Sequence, residues 1–441
     1  MSSPTVSRRA LIGGSALGAV SALGAGSTTV FGQAAATPGA TPVAGATPVA
    51  TTREFLAVAV PEAKLLYVYS LPDLDLIDTV EAVAVNAHVG VIPLPNGQLL
   101  FMDDAGTRLM AIEAHGDHVD SYEAAIPGTY YSHIAIDSDH AHIAAVGSDN
   151  PAAPITLVDL ETWDTTPVAV QDPGEVGLML THDILFHRNN NLNQIEAYAV
   201  EDVLAGNVDM IASVQIGTGG HGESISMNGD TLYTATDEGI EAIAWDGAEL
   251  TFLTTYPWDS ADRSGGRGYF QRLSLDGTHV VSYTADRSAP ETEWSTWTND
   301  ALLIDTADGV TERVELGTGY VFRFGISGES ALFYRIGEDG DEAILLDLAS
   351  GEIEQRIALE PMSNGPVAGE PIYENNQYRA VTSSTDGAWG FITQGGDGVV
   401  VVLDLVSGTV AATIETGSPL NAGGYLAVFG AGSSFTDSIG R

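Results

Sequence analysis

One short motif returns seven times along this chain: an apolar strand runs into a tight turn and a second apolar strand leaves it. The turns are Asn96-Gly97, Ser138-Asp139, Thr181-His182, Asn228-Gly229, Asp276-Gly277, Ser327-Gly328 and Asp386-Gly387. Between the second residues of successive turns the steps are 42, 43, 47, 48, 51 and 59 residues. Self-similarity at such a period marks a repeat architecture, and four strands per roughly forty to fifty residues make a propeller blade. A second hairpin signal follows several of the turns, as in Leu157-Val158-Asp159, Leu303-Ile304-Asp305, Leu346-Asp347-Leu348-Ala349-Ser350-Gly351 and Leu403-Asp404-Leu405-Val406-Ser407-Gly408. There the Asp carboxylate bonds the turn amides and Gly supplies the positive φ. No long helical periodicity interrupts the pattern; Ala199 to Val208 leaves room for one helical turn.

Counting strands predicts how the ring closes. Seven units run from about Val85 to Thr416, three strands precede them between Phe55 and Glu81, and one follows, Tyr425 to Phe429. Three plus one make a further blade shared by both ends of the chain, which leaves no open sheet edge. The expected fold is therefore all-β, a single propeller over residues 54–430 with eight blades, or seven if one weak unit is misread; residues 431–441 form a tail. With 44% hydrophobic residues among 441, there is ample material for such a core.

Ahead of the repeats, Ser7-Arg8-Arg9-Ala10-Leu11-Ile12-Gly13 opens a mild apolar stretch to Val30, and Ala34-Ala35-Ala36 follows. A basic start, an apolar middle and an A-x-A end describe a secretory signal over residues 1–36, and the Arg pair gives it the twin-arginine pattern. A Sec signal or a membrane anchor behind a chance Arg pair is the alternative. Residues 37–53 repeat Ala-Thr-Pro units, which stay extended as a spacer. No apolar run has the length and cleanness of a membrane span in the mature chain. The expectation is an exported monomer, in the periplasm, outside the cell or on its surface.

Charge and cysteine content remove whole classes of function. Asp and Glu number 59 against 16 Lys and Arg, a net charge of −43. Such a surface repels phosphate backbones, so nucleic acid is excluded as a partner, while cations are drawn to it without selection. With no cysteine there are no disulfides, thiolate metal sites or Cys nucleophiles. The G-x-S-x-G elbow, the H-E-x-x-H helix, the P-loop and the dinucleotide fingerprint are all absent. Asp73-Leu74-Asp75 and Glu338-Asp339-Gly340-Asp341-Glu342 depart from the spacing of an EF-hand loop and read as solvated turns.

Histidine carries the functional signal. In a propeller the connections between blades converge on the central channel, so residues at the entrances of the innermost strands face one another. Three such entrances hold His88, His133 and His221, with Glu223 close behind the last. Imidazoles from separate blades, completed by Glu223 or Asp117, suit tetrahedral zinc. A second cluster, Glu113-Ala114-His115-Gly116-Asp117-His118, puts two imidazoles and two carboxylates within six residues of loop. It reads as a mobile capture site, or else as a solvated acidic loop.

Two resemblances follow from these residues. Strand–Asp-Gly–strand units alternating with Leu-Asp-x-x-Ser-Gly hairpins resemble the YVTN-type secreted propellers across nearly the whole mature chain. His115-Gly116-Asp117-His118 resembles the His-Gly-Asp-His loop of the AztD-type periplasmic zinc metallochaperones. Gly219-Gly220-His221-Gly222 and Thr181-His182-Asp183 resemble further segments of that family. That resemblance implies zinc contacts at His115, His118, His221 and His182, and as partner the binding protein of an ABC importer. The leading expectation is a non-catalytic, metal-binding propeller.

A rival expectation rests on arginine. Of 14 Lys and Arg beyond the signal, seven lie between residues 263 and 335. Arg263, Arg267 and Arg272, walled by Trp258, Trp294 and Trp297, would offer a lactonase-like or glycan-acting enzyme a pocket for a carboxylate or sugar. Internal salt bridges with the many acids are the plainer reading of the same arginines. A ligand-free interaction scaffold is the third.

Overall fold

The computed structural model describes residues 5–7, 53–85, 90–103, 107–126, 133–137, 142–148, 150–172, 174–372, 380–420, 424–430 and 439–440. They form eight sheets, each built on four neighbouring antiparallel strands. Blades 1 to 7 span residues 91–125, 134–168, 177–215, 223–257, 271–318, 320–359 and 381–415. Blade 8 takes Tyr425–Gly430 as its innermost strand and Glu54–Val60, Leu65–Ser70 and Leu76–Glu81 as the other three. Across the closure Leu56 faces Val428 and Phe55 faces Phe429, their rings 5.7 Å apart. The eight-blade count holds, and both ends of the propeller chain close the ring.

The recurring turns join the first and second strands of their blades, and Gly97, Gly229, Gly277, Gly328 and Gly387 there have positive φ. Ser138-Asp139 lies outside the described residues. The middle strands of each blade are packed between neighbouring blades, so they read as continuous apolar runs, as in Val399–Asp404. Outermost strands have one wet face and alternate, as in Ile353–Leu359. The helical turn falls at Val200–Leu204, after the third strand of blade 3.

Two short strands add to this frame. Thr5–Ser7 pairs with the outermost strand of blade 7, and Ile439–Gly440 pairs with Ala135 and Ile134 on the innermost strand of blade 2. The rest of the expected signal, the spacer as far as residue 52, and 431–438 of the expected tail lie outside the described residues. No helix among the described residues is long and apolar enough to cross a membrane.

Strand direction fixes two faces. Every innermost strand is entered from one face, here the entrance face. First and third strands of a blade run parallel, so hairpins after a third strand open on the opposite, exit face.

Candidate metal centre

The loop cluster lies on the exit face, at the rim of blade 1. Arg108–Ala114 and Val119–Ala125, its third and fourth strands, are joined by residues 115–118. The His115 amide donates to the His118 carbonyl at 2.9 Å, which closes the hairpin and sets the imidazoles side by side, tilted by 30° with centroids 4.7 Å apart. Blade 8 braces the turn, its Asp78 carboxylate accepting from the Val119 amide at 3.1 Å.

The carboxylate completing this cluster is Asp120. Ligand atoms of His115, His118 and Asp120 all lie within 4.8 Å of one another, the one such group of three among the described residues. His115 Nε2 is 3.3 Å from Asp120 Oδ2. Asp117, named as a ligand by its place in the motif, instead reaches His118 Nδ1 at 2.8 Å. That hydrogen bond holds the His118 imidazole above its usual pKa and the Asp117 carboxyl below its own. A carboxylate behind one ring nitrogen leaves the other to face a metal. Asp120 was legible in principle, since His118 and Asp120 share the two-residue period of a strand.

The second cluster lies on the entrance face, where blades 2, 3 and 4 meet at the channel. His133 precedes the innermost strand of blade 2, Glu175 that of blade 3, and His221 that of blade 4, whose first residue is Glu223. His133 is 1% exposed; its Nε2 is 3.7 Å from Glu175 Oε1 and its Nδ1 is 3.7 Å from Glu223 Oε2. Glu175 Oε1 also lies 3.4 Å from His221 Nε2. Behind them the buried Arg188 pairs through Nε with Glu223 and reaches the Gly220 carbonyl. This approach requires Gly177, since a Cβ there would lie 2.4 Å from Glu223 and 2.5 Å from Arg188.

The sequence therefore places two of its three channel imidazoles together, and His88 lies outside the described residues. It passed over Glu175 and Arg188. Glu175 occupies the blade entrance between the two histidines, so the rule that found His133 and His221 reaches it as well. Arg188 carries no such signal, being one of three successive polar residues, His187-Arg188-Asn189, at the end of a strand.

His182 is elsewhere. It sits in the turn between the first two strands of blade 3, on the exit face, with Nδ1 3.9 Å from Asp137 Oδ2. The four histidines that the family resemblance groups are thus spread over two faces: His115, His118 and His182 on one, His221 on the other.

The arginine set divides too. Arg263 pairs with Asp300 and with Glu315 at 2.7 Å, while Arg267 pairs with Asp237 at 2.8 Å and lies over the Tyr269 ring. Arg272 lies over Phe270 at 4.6 Å. Trp258, Trp294 and Trp297 are buried, their indole nitrogens donating to the carbonyls of Thr236, Val367 and Ala289. Those rings serve as core between loops and blades. Of the acidic turn at 338–342, Glu342 pairs with Arg335 and Arg356, and Asp341 accepts from the Tyr334 hydroxyl.

No protein-family model matches the chain, and no curated protein matches it. Solved structures do. Apo AztD from Citrobacter koseri aligns with a TM-score of 0.62 at 14% identity, over 87% of this chain and 100% of that one. A second Citrobacter koseri AztD structure gives 0.60 at 16%, over 86% and 98%. The dihydro-heme d1 dehydrogenase NirN, in complex with DHE, gives 0.58 at 17%, over 85% and 74%. In fold, this chain resembles the AztD-type propellers.

Proposed function

We propose that this chain is an exported, non-catalytic propeller that binds a transition metal, zinc, and delivers it as a metallochaperone to the binding protein of an importer. The observation that carries this reading is the convergence of His115, His118 and Asp120, with donor atoms all within 4.8 Å. Two imidazoles and one carboxylate are a zinc ligand set, and three protein ligands leave a fourth position open. At an exposed hairpin that position faces solvent, where a receiving protein's ligand can enter before the hairpin's ligands leave. Asp117 orients His118, and the strongly acidic surface concentrates cations near the loop.

The reading further holds that the chain leaves the cell by the twin-arginine-type signal over residues 1–36 and works as a monomer. The likeness of fold to AztD supports the chaperone role, and the four-residue motif His115–His118 supports the site.

Dialysed, untagged protein titrated with Zn²⁺ against a colorimetric chelator tests it. The unaltered chain is expected to take up zinc, and the His115→Ala/His118→Ala variant to lose one bound equivalent. Unchanged stoichiometry in that variant removes the loop from the scheme.

A further inference from the structure

At the mouth of the central channel two imidazoles present the same atom to the same carboxylate. His221 Nδ1 lies 3.1 Å from the Tyr269 carbonyl oxygen. A carbonyl only accepts, so Nδ1 carries the hydrogen, and in neutral His221 the lone pair is on Nε2. That Nε2 lies 3.4 Å from Glu175 Oε1. His133 repeats the arrangement. Its Nδ1 has Glu223 behind it at 3.7 Å, and its Nε2 looks onto the same Glu175 oxygen, also at 3.7 Å. Neither ring nitrogen of His133 has a hydrogen-bond partner among the described residues, although the side chain is 1% exposed. A buried, unsatisfied imidazole is costly and calls for a missing partner.

A lone pair facing a carboxylate oxygen is repulsive unless a proton or a metal ion stands between them. The two imidazole-to-carboxylate spacings suit a metal ion. Zinc bonds of about 2.0–2.1 Å to nitrogen and oxygen place tetrahedral neighbours about 3.4 Å apart. The backing is that of a metal site as well: Arg188 fixes Glu223, Glu223 stands behind His133, and Tyr269 fixes the ring of His221.

We infer that the channel mouth holds a second divalent-cation site, with His133 Nε2, Glu175 and His221 Nε2 as its ligands and Glu223 as a positioning residue. It shares with the proposed function only the cargo, since its residues lie on the face opposite the loop. Here the donors do not all lie within 4.8 Å of one another, so binding draws the two rings toward the ion at Glu175, which is one-third exposed on the side chain. Burial of His133 makes this equivalent slow to exchange, whereas the loop equivalent exchanges fast.

The test uses the full chain and zinc alone, in stopped-flow removal by a chromogenic chelator. The unaltered protein is expected to release two equivalents, one fast and one at least tenfold slower. His115→Ala/His118→Ala should keep only the slow one. Adding Glu175→Gln, a near-isosteric change at a partly exposed position, should weaken that remaining equivalent about 100-fold, and Glu223→Gln alone should weaken it about tenfold. Thermal melts of the metal-free variants separate loss of zinc from loss of fold, and Co²⁺ absorption reports ligand number without reference to transfer. A loop variant that binds no zinc, or a folded Glu175→Gln variant that keeps the slow equivalent unchanged, overturns the inference. Loss of the fast equivalent alone bears only on the loop.

Discussion

The hairpin at His115–His118 and the channel mouth at His133–His221 each bring two imidazoles to a carboxylate, and there the likeness ends. The hairpin's donors belong to six residues of one blade rim, are largely exposed, and already stand within 4.8 Å of one another. The mouth's donors come from three blades, sit around the fully buried Arg188–Glu223 pair, and are held apart by the ring itself. Identical side chains thus take different roles according to what surrounds them. Local sequence builds the first cluster, whose loss leaves the fold intact. Tertiary closure builds the second, which is part of what holds blades 2, 3 and 4 together.

The sharpest way to break this contrast is to remove Arg188. Arg188→Ala leaves the Glu223 carboxylate buried without its ion-pair partner and is expected to cost about 3–5 kcal/mol of stability. Chemical denaturation measures it; a loss below about 1 kcal/mol would show the mouth to be no more structural than the loop. A fifth histidine sharpens the same point. His187 is buried in blade 3 against Glu196, whose carboxylate also accepts from Tyr198 and Gln194. Burial alone would raise the Glu196 pKa, but these hydrogen bonds outweigh it and hold the group at about 2. A carboxylate depressed in the fold stabilises it fully above its unfolded pKa, about 4.3, and that contribution fades as pH falls toward 2. Its size is about 3 kcal/mol, and Glu196→Gln should flatten the stability slope in that window.

Smaller effects belong to the hairpin. Asp117→Asn removes the hydrogen bond that raises His118, so the imidazole should titrate at lower pH, as followed by the His118 ring proton in NMR. An unmoved titration would deny Asp117 its orienting role. Smallest of all, His115→Ala/His118→Ala should change the stability of the metal-free protein by no more than about 0.5 kcal/mol, within the range of ordinary surface substitutions.

The ring was legible because its signals are local and repeated. Asn96-Gly97, Asp276-Gly277 and their equivalents specify hairpins whatever lies around them, and the leftover strands at Phe55 to Glu81 and Tyr425 to Phe429 could only pair with each other. The sites were legible in part. Blade entrances converge by topology, which brought His133 and His221 together without any motif. The side on which a carboxylate falls is a matter of strand phase, and so Asp117, inside the motif, points away from the role that Asp120 takes two residues into the strand. Burial of Arg188, Trp258 and Trp294 depends on neighbouring blades, which no window of sequence contains. Residue type alone therefore left an arginine–tryptophan pocket open beside the plainer reading of internal salt bridges, where the fold has ion pairs and core.

Anomalous X-ray scattering at the zinc edge, on crystals of the dialysed protein soaked in Zn²⁺, tests the metal-binding reading most directly. The expected result is a peak bounded by His115, His118 and Asp120 on the exit face, with a second between His133, Glu175 and His221 on the other. Saturated crystals with no peak at the hairpin would contradict the proposed function.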